Sequence, residues 1–526
     1  MSIDDNTPVL VGVGQITEPV AEDLSAASSP VVLASKAAAA ALDDAGMPAS
    51  ELDVIAVVRT MADSTPPMPS PFGTSNQPPR SVANAIGASP QQLVHSKSGG
   101  NTPQQLVNEW AAKLYAGQAS AVLLTGAEAL ATTKAALRAQ QSLDWSEKLE
   151  GPMHDCGIGL RGMIGVRELQ HGLVMPTTQY AIAENARRAQ LGRSYSEHAK
   201  ACGELLAPFS AVASSNEYSM FREQYTAAQI ATPGDKNTYV DLPYTYRMIA
   251  KDSVNQGAAV VLTTVAKARQ LGIDEQRWVY LHAYAQAEDL PMLERENLAS
   301  SLALTLTYQQ VLKASGLSAA DIAVYDIYSC FPIVIDLAKQ ALGISDPKIQ
   351  LTQTGGLPFF GGAGNNYTMH AIAEVVTQLR AKPTAYGLVG ANGGMINKHA
   401  VGIYSCRPGW QLCDSSDIQQ QVNAQAPAHF DNDPHGAASI ETYTVTYWQG
   451  TPFHGIVIGR LQHSGARFIA NNFEGDAATL QKLVDEDCIG QTIFVASRGK
   501  NNVFAFEREQ LRAQLPEPVT QLRKSY

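Results

Sequence analysis

The sequence predicts an α/β protein of two fused βαβαβ halves facing one another, with an inserted, mainly helical lobe and a C-terminal all-β domain of OB-like barrel type. Three observations carry this. Leu42, Gly46, Met47, Leu52, Val54 and Val57 recur 270 residues later as Leu312, Gly316, Leu317, Ile322, Val324 and Ile327. At both places a helical apolar pattern stops at a glycine, crosses a polar turn with an acid (Glu51, Asp321) and enters a Val/Ile-rich strand. Gly100-Asn101, a helix and the strand Ala121 to Gly126 then recur, at an offset of 264, as Gly364-Asn365, a helix and Ala385 to Gly390. Two ungapped matches in one order indicate duplication, and a unit of well over about 100 residues is too long for a solenoid repeat. Beyond Trp410 the pattern changes to short strands separated by Gly, Asn and His turns.

Taken in order, Pro8 to Ile16 reads as a buried strand, Val31 to Ala45 as the first helix of the repeat, and Val54 to Val58 as the next strand. The run Thr65 to Arg80 is too proline-rich for a helix or a central strand and is expected as a loop. After Gly126 roughly 120 residues have no counterpart in the second half, and they close at the strand Ala258 to Thr264. The second half runs from Val279 to Tyr404. The tail offers strands at Thr442 to Trp448, Gly455 to Leu461, Arg467 to Ala470, Gln491 to Val495 and Val503 to Phe506. These readings divide the chain into a first half over 1–126 and 251–275, an inserted lobe over 127–250, a second half over 276–410 and a barrel domain over 411–526.

With 526 residues, 45% of them hydrophobic, burial of a large core is not limiting. A net charge of −11 and the lack of a dense Lys/Arg cluster argue against a nucleic-acid partner. No apolar stretch is long enough to span a membrane, and the start Met-Ser-Ile-Asp-Asp has no signal-sequence pattern, so a cytoplasmic protein is expected. Six cysteines without a CxxC pair suit reduced thiols, and no metal site is expected.

Several motifs resemble the sterol-carrier-type thiolases: Tyr180-Ala-Ile-Ala-Glu-Asn-Ala186, Leu242-Pro-Tyr-Thr-Tyr-Arg247, Asp252-Ser-Val-Asn-Gln-Gly-Ala-Ala259, and Tyr328-Ser-Cys-Phe331 where that branch carries His-Asp-Cys-Phe. The resemblance covers about residues 5 to 408, while the tail is similar to the extra C-terminal domain of a bacterial thiolase-like subgroup of acetyl-CoA acetyltransferase type. It implies two thiolase halves, an acyl-CoA as substrate or ligand with no further cofactor, and a homodimer as a possible assembly.

The catalytic loops of that family depart from pattern here. A thiolase carries its acyl group on a cysteine at the N-terminus of the helix preceding the strand that ends at Gly126, and no cysteine occurs before Cys156. Unpaired N–H groups at such a helix end still favour negative charge, and Asn101 or Thr102 is expected to cap it ahead of Pro103. Lys97 falls in the cysteine's place, to bind an anionic group or to extend to solvent. Ser96 and Ser98 are possible nucleophiles only if His95 activates them. The family's Gly-His-Pro is replaced by Gly362-Ala363 within the glycine-rich Gly355 to Tyr367, a loop suited to close approach of a ligand or to a tight turn. His370 on the following helix is the nearest imidazole there. Asn365 and Asn366 are expected as donors or caps.

The family's Cys-x-Gly becomes Asn392-Gly-Gly394, and His399 lies on the adjoining segment. Cys330 matches the cysteine regarded as acid/base in the sterol-carrier-type enzymes, although a cysteine between Ile327 and Phe331 equally suits core packing. The candidate catalytic residues are therefore Cys330, Tyr328, Asn392, His399 and His370. Candidates for holding CoA are Lys97, Ser98, Gly362, Asn365, Arg247 and Lys251. Three functions stay open: acyltransferase-type carbon–carbon chemistry on an acyl-CoA without a covalent intermediate, which these residues place first; a retro-aldol lyase on a 3-hydroxyacyl-CoA using Tyr328 or Tyr367; and a non-catalytic acyl-CoA or lipid binder.

Overall fold

A computed structural model describes residues 3–64, 69–159 and 164–515. The first half contributes strands β1 (Pro8–Thr17), β2 (Val54–Val57), β3 (Gln92–His95) and β4 (Ala121–Ala129), with helices α1 (Pro30–Ala45), α2 (Pro78–Ile86) and α3 (Thr102–Tyr115). A two-residue strand, β5 (His154–Asp155), pairs in parallel with β3 and covers its open edge. The inserted segment carries α4 (Val166–Gln170), α5 (Pro176–Gln190) and α6 (Tyr195–Ser215) before the chain returns in β6 (Asn255–Thr264). The second half repeats the scheme with β7 (Val279–Glu288), α7 (Leu302–Ser315), β8 (Ile322–Ile327), α8 (Pro332–Leu342), α9 (Tyr367–Ala381), β9 (Tyr386–Gly393) and β10 (Lys398–Ser405).

The duplication has a local physical basis. Both α1 and α7 end on a glycine in the left-handed region, Gly46 at φ 65° and Gly316 at φ 68°, where a side chain would be strained. Each cap N–H turns back to carbonyls of its own last turn, and a short 3-10 turn then leads into β2 or β8. The halves join in one sheet of order β8-β9-β10-β7-β1-β6-β4-β2-β3-β5, and the seam is the short antiparallel pairing of Val9 and Leu10 with Tyr280 and Val279. Helices α3 and α9 contact each other, β6 and β9 between the halves, and Trp110, Val107, Ile372 and Val376 pack there in one core.

One expectation is corrected. Residues 65–68 lie outside the described part, and the end of the predicted loop is helical, since α2 begins at Pro78. Proline needs no N–H in a helix's first turn, so Pro78 and Pro79 start the helix rather than prevent it. All five tail strands occur, as β11 (Gly436–Trp448), β12 (Thr451–Leu461), β13 (Arg467–Asn471), β14 (Thr492–Ser497) and β15 (Asn502–Ala505). They run β11-β12-β13-β15-β14 and close back on β11, so the domain is a five-stranded closed barrel. The lobe adds to it, because Asp241 pairs with Thr446 on β11. No helix among the described residues is long and apolar enough to cross a membrane.

Candidate functional site between the two halves

Helices α3 and α9 bring their N-termini together at the centre of the sheet's C-terminal side. Gly99 N donates to Asn365 Oδ1 (3.0 Å), and Thr368 Oγ1 donates to Gly100 O (2.6 Å). Gly100 lies at this junction, two residues before α3 begins. A Cβ built on it would lie 2.2 Å from Tyr328 Oη and 2.6 Å from Asn392 O. The phenol of Tyr328 and the backbone of β9 therefore leave no room for a side chain at Gly100.

Around this point Cys330, Tyr328 and Asn392 are brought together, as their sequence positions suggested. Cys330 is 7% and Asn392 2% exposed. Asn392 Nδ2 lies 3.7 Å from Cys330 Sγ and donates to Tyr180 Oη at 2.8 Å. Tyr180 in turn donates to Gly394 O (3.1 Å), accepts from Ile396 N (3.2 Å), and its ring stacks on Phe331 at 4.2 Å. Burial pushes the Cys330 thiol up to about 12, and hydrogen bonding from Tyr180 and Asn392 offsets only part of that. The thiol is protonated at neutral pH, so it is an acid or a packing group and not a thiolate nucleophile. Burial also raises the Tyr328 hydroxyl, whose ring meets Tyr367 edge-on at 5.5 Å.

The other candidates stand elsewhere or are engaged. Lys97 is exposed, with its stem against Gly159, because the two buried neighbours Ser96 and Ser98 take the inward positions. Ser96 Oγ donates to Lys97 O (2.8 Å) and Ser98 Oγ to Ser64 Oγ (2.7 Å), so neither hydroxyl is given to His95. The caps expected on α3 are absent: Asn101 Nδ2 donates to Gln105 Oε1 (3.0 Å), and Thr102 Oγ1 to Lys97 O (3.3 Å). Nor do Asn365 and Asn366 cap α9. The Asn365 amide bonds Arg59 O and Ser64 Oγ, at 2.7 and 3.0 Å, and thus ties the halves to each other.

The glycine loop is drawn tight by protein rather than left open. Gly356 N donates to Thr354 Oγ1 (3.1 Å), Leu357 N to Ser329 Oγ (3.2 Å) and Gly362 N to Lys251 O (2.7 Å). Side chains at Gly355 and Gly356 would strike Ala213 and Phe209 of α6, so these glycines let the lobe pack on the loop. His370 points away from Cys330, toward β1: its Nδ1 meets Gln15 Oε1 at 2.7 Å and its ring edge meets Phe360, with burial pulling it down to about 3. His399 pairs across strands with Asn392, yet its Nε2 lies 3.2 Å from Ser301 Oγ, and burial lowers its proton affinity so that it is neutral.

Arg247 and Lys251 lie on the lobe's return to the core. Arg247 donates to Gln229 O (2.9 Å) and covers the Tyr225 ring at 4.4 Å. Lys251 sits 3.7 Å over the Tyr246 ring and bonds the Tyr246 carbonyl. Tyr180 is the site residue that motif reading left out. It stood inside a quoted motif, but nothing in its spacing points to Asn392, which lies in another domain.

The thiolase-like protein type 1 additional C-terminal domain matches residues 417–500. Across the whole chain the structure is similar to a monomeric SCP2-thiolase-like protein type 1 from Mycobacterium smegmatis, with 36% identity, 96% of this chain and 100% of that one covered, and a TM-score of 0.82. At the level of fold it is similar to an Ltp2-ChsH2(DUF35) aldolase (17% identity, 76% and 98% covered, TM-score 0.57). It is also similar to human mitochondrial 3-ketoacyl-CoA thiolase in complex with CoA (15% identity, 76% and 98% covered, TM-score 0.53). No curated protein sequence matches the chain.

Proposed function

Since the chain belongs to the type 1 SCP2-thiolase-like proteins, we propose that it binds an acyl-CoA without forming a covalent acyl-enzyme and without thiolytic turnover. The observation that carries this reading is the filled helix end. Gly100 offers no side chain, and Tyr328 Oη stands where one would be. The remaining thiol, Cys330, is protonated and held among Tyr180, Asn392 and Phe331. Acyl transfer needs an ionised or base-activated nucleophile within reach of the thioester, and the groups assembled here supply neither.

In this reading the CoA portion lies along the lobe's return, where Arg247 and Lys251 flank the half-exposed ring of Tyr246. That ring gives an adenine a stacking face and Arg247 favours the diphosphate, while burial lowers Lys251 to about 7, so its charge is only partly available there. A second reading, proton transfer in carbon–carbon cleavage of a 3-hydroxyacyl-CoA, is favoured by one observation: two phenols, Tyr328 and Tyr180, flank Cys330 and Asn392. Calorimetric titration with CoA and acetyl-CoA, alongside product analysis with 3-ketoacyl-CoA and 3-hydroxyacyl-CoA, separates the two. Saturable binding with no product supports the binder. A cleavage product that disappears in Tyr328→Phe makes the lyase reading correct, and absence of any CoA binding removes both.

A further inference from the structure

The appended barrel builds a cavity that neither half has alone. A space of about 540 Å³ lies where α4 of the lobe, residues 291–294 of the second half, and the barrel meet. This is within the usual size of a small-molecule site. Its walls are fixed by one histidine. His171, just after α4, gives its Nδ1 hydrogen to Arg167 O (2.7 Å), accepts from Asn502 N at Nε2 (2.9 Å), and its carbonyl accepts from Asn471 Nδ2 (3.1 Å). Burial lowers its proton affinity, so this tautomer is held at neutral pH.

Arg167 also lines the cavity. Its guanidinium lies 4.1 Å over the ring of Phe430, and Nη1 is buried with no hydrogen-bond partner among the described residues. A guanidinium N–H shut away from water without an acceptor is costly, and an anion is the group that relieves it. The carboxylate next to it does not: Glu168 accepts from Gly165 N (3.0 Å) as part of the α4 cap. Glu294 also lines the cavity, and Lys500, exposed at the barrel rim, supplies a second cation. Val166, Met292, Phe430 and Ile469 give the cavity apolar patches among the polar Gln170, Gln179 and Asn432.

From this geometry we infer that the three-domain cavity binds a small amphipathic anion, a carboxylate or phosphate monoester on a short apolar chain. The head sits on Arg167 with Lys500 at the rim, and the chain lies against Phe430, Met292 and Ile469. This site is separate from the junction of the halves and does not depend on the acyl-CoA reading.

The test is calorimetric titration of the full chain with decanoate, decyl phosphate and, as the uncharged control, decan-1-ol. Decanoate and decyl phosphate are expected to bind once per chain, whereas decanol binds at least about tenfold more weakly. Arg167→Gln should weaken both anions by about tenfold or more, and the surface change Lys500→Glu by about threefold or more. Preference for decyl phosphate over decanoate, or the reverse, identifies which head group the site takes. Lack of binding by both anions, equal binding of decanol, or unchanged affinity in Lys500→Glu would overturn the inference. Arg167→Gln is read where its unfolding profile matches wild type. Should it fail to fold, Lys500→Glu, which touches no core residue, decides alone.

Discussion

Replacing Gly100 with alanine tests the packing on which the account rests. The new methyl would lie 2.2 Å from Tyr328 Oη, 2.6 Å from Tyr328 Cζ and 2.6 Å from Asn392 O. The phenol can swing, but the carbonyl cannot: Asn392 belongs to β9, which is paired with β10 across its whole length. The glycine's own φ lies outside the left-handed region, so the cost is steric rather than conformational. Overpacking against a fixed backbone atom falls at the upper end of the usual 1–3 kcal/mol, and a loss of about 3 kcal/mol is expected. Urea unfolding followed by fluorescence reads it. In Tyr328→Ala, where the ring is gone, the same Gly100→Ala change should cost about half as much, a coupling of roughly 1.5 kcal/mol. Equal stability of Gly100→Ala and wild type would refute the claim that Tyr328 and β9 fill the space beside Gly100.

Three further outcomes follow from the packing and the charges. Cys330→Ala should cost about 1 kcal/mol, because it removes one small buried group, and should leave CoA affinity by calorimetry unchanged; a tenfold loss would make the thiol part of the ligand site. Arg467, fully buried, donates to Leu293 O (2.8 Å), Glu296 O (2.9 Å) and Glu441 Oε2 (2.8 Å) and so docks the barrel on the second half. Arg467→Ala should cost about 3–5 kcal/mol and expose residues 406–416 to limited proteolysis, and an unchanged cleavage pattern counts against that docking role. His370, pulled down to about 3, contributes stability that is present above the unfolded value near 6.5 and is lost as pH falls below it. His370→Gln should therefore lose about 2 kcal/mol less than wild type between pH 7 and pH 5, and parallel pH profiles would show that His370 charges freely in the folded state.

Much of the fold was legible because its punctuation is local. Gly46 and Gly316 end helices through their own φ angles, and the Val/Ile strands that follow are buried on both faces, so both leave a readable mark over a few residues. The barrel strands were readable for the same reason, down to small differences at their ends. Strand β11 extends six residues earlier than expected because Gly436 to Ser439 pair with β14, a partner distant in sequence. The site was legible only in part. Cys330 and Asn392 were placed together by the motifs that carry them, whereas Tyr180 reaches them from the lobe across 212 residues. Of the two readings open for Lys97, extension to solvent is the one observed, because packing against Gly159 and Ser64 turns Ser96 and Ser98 inward, which sequence position alone does not determine.

On the reading proposed above, this thiolase-like chain holds an acyl-CoA without becoming acylated. Mass measurement of the intact chain after incubation with acetyl-CoA, once under native and once under denaturing conditions, tests it most directly. The expected result is a complex with acetyl-CoA in the native spectrum and an unmodified chain after denaturation. A chain that keeps one acetyl group through denaturation, mapped by peptide analysis to Cys330 or to the segment 94–101, would contradict it.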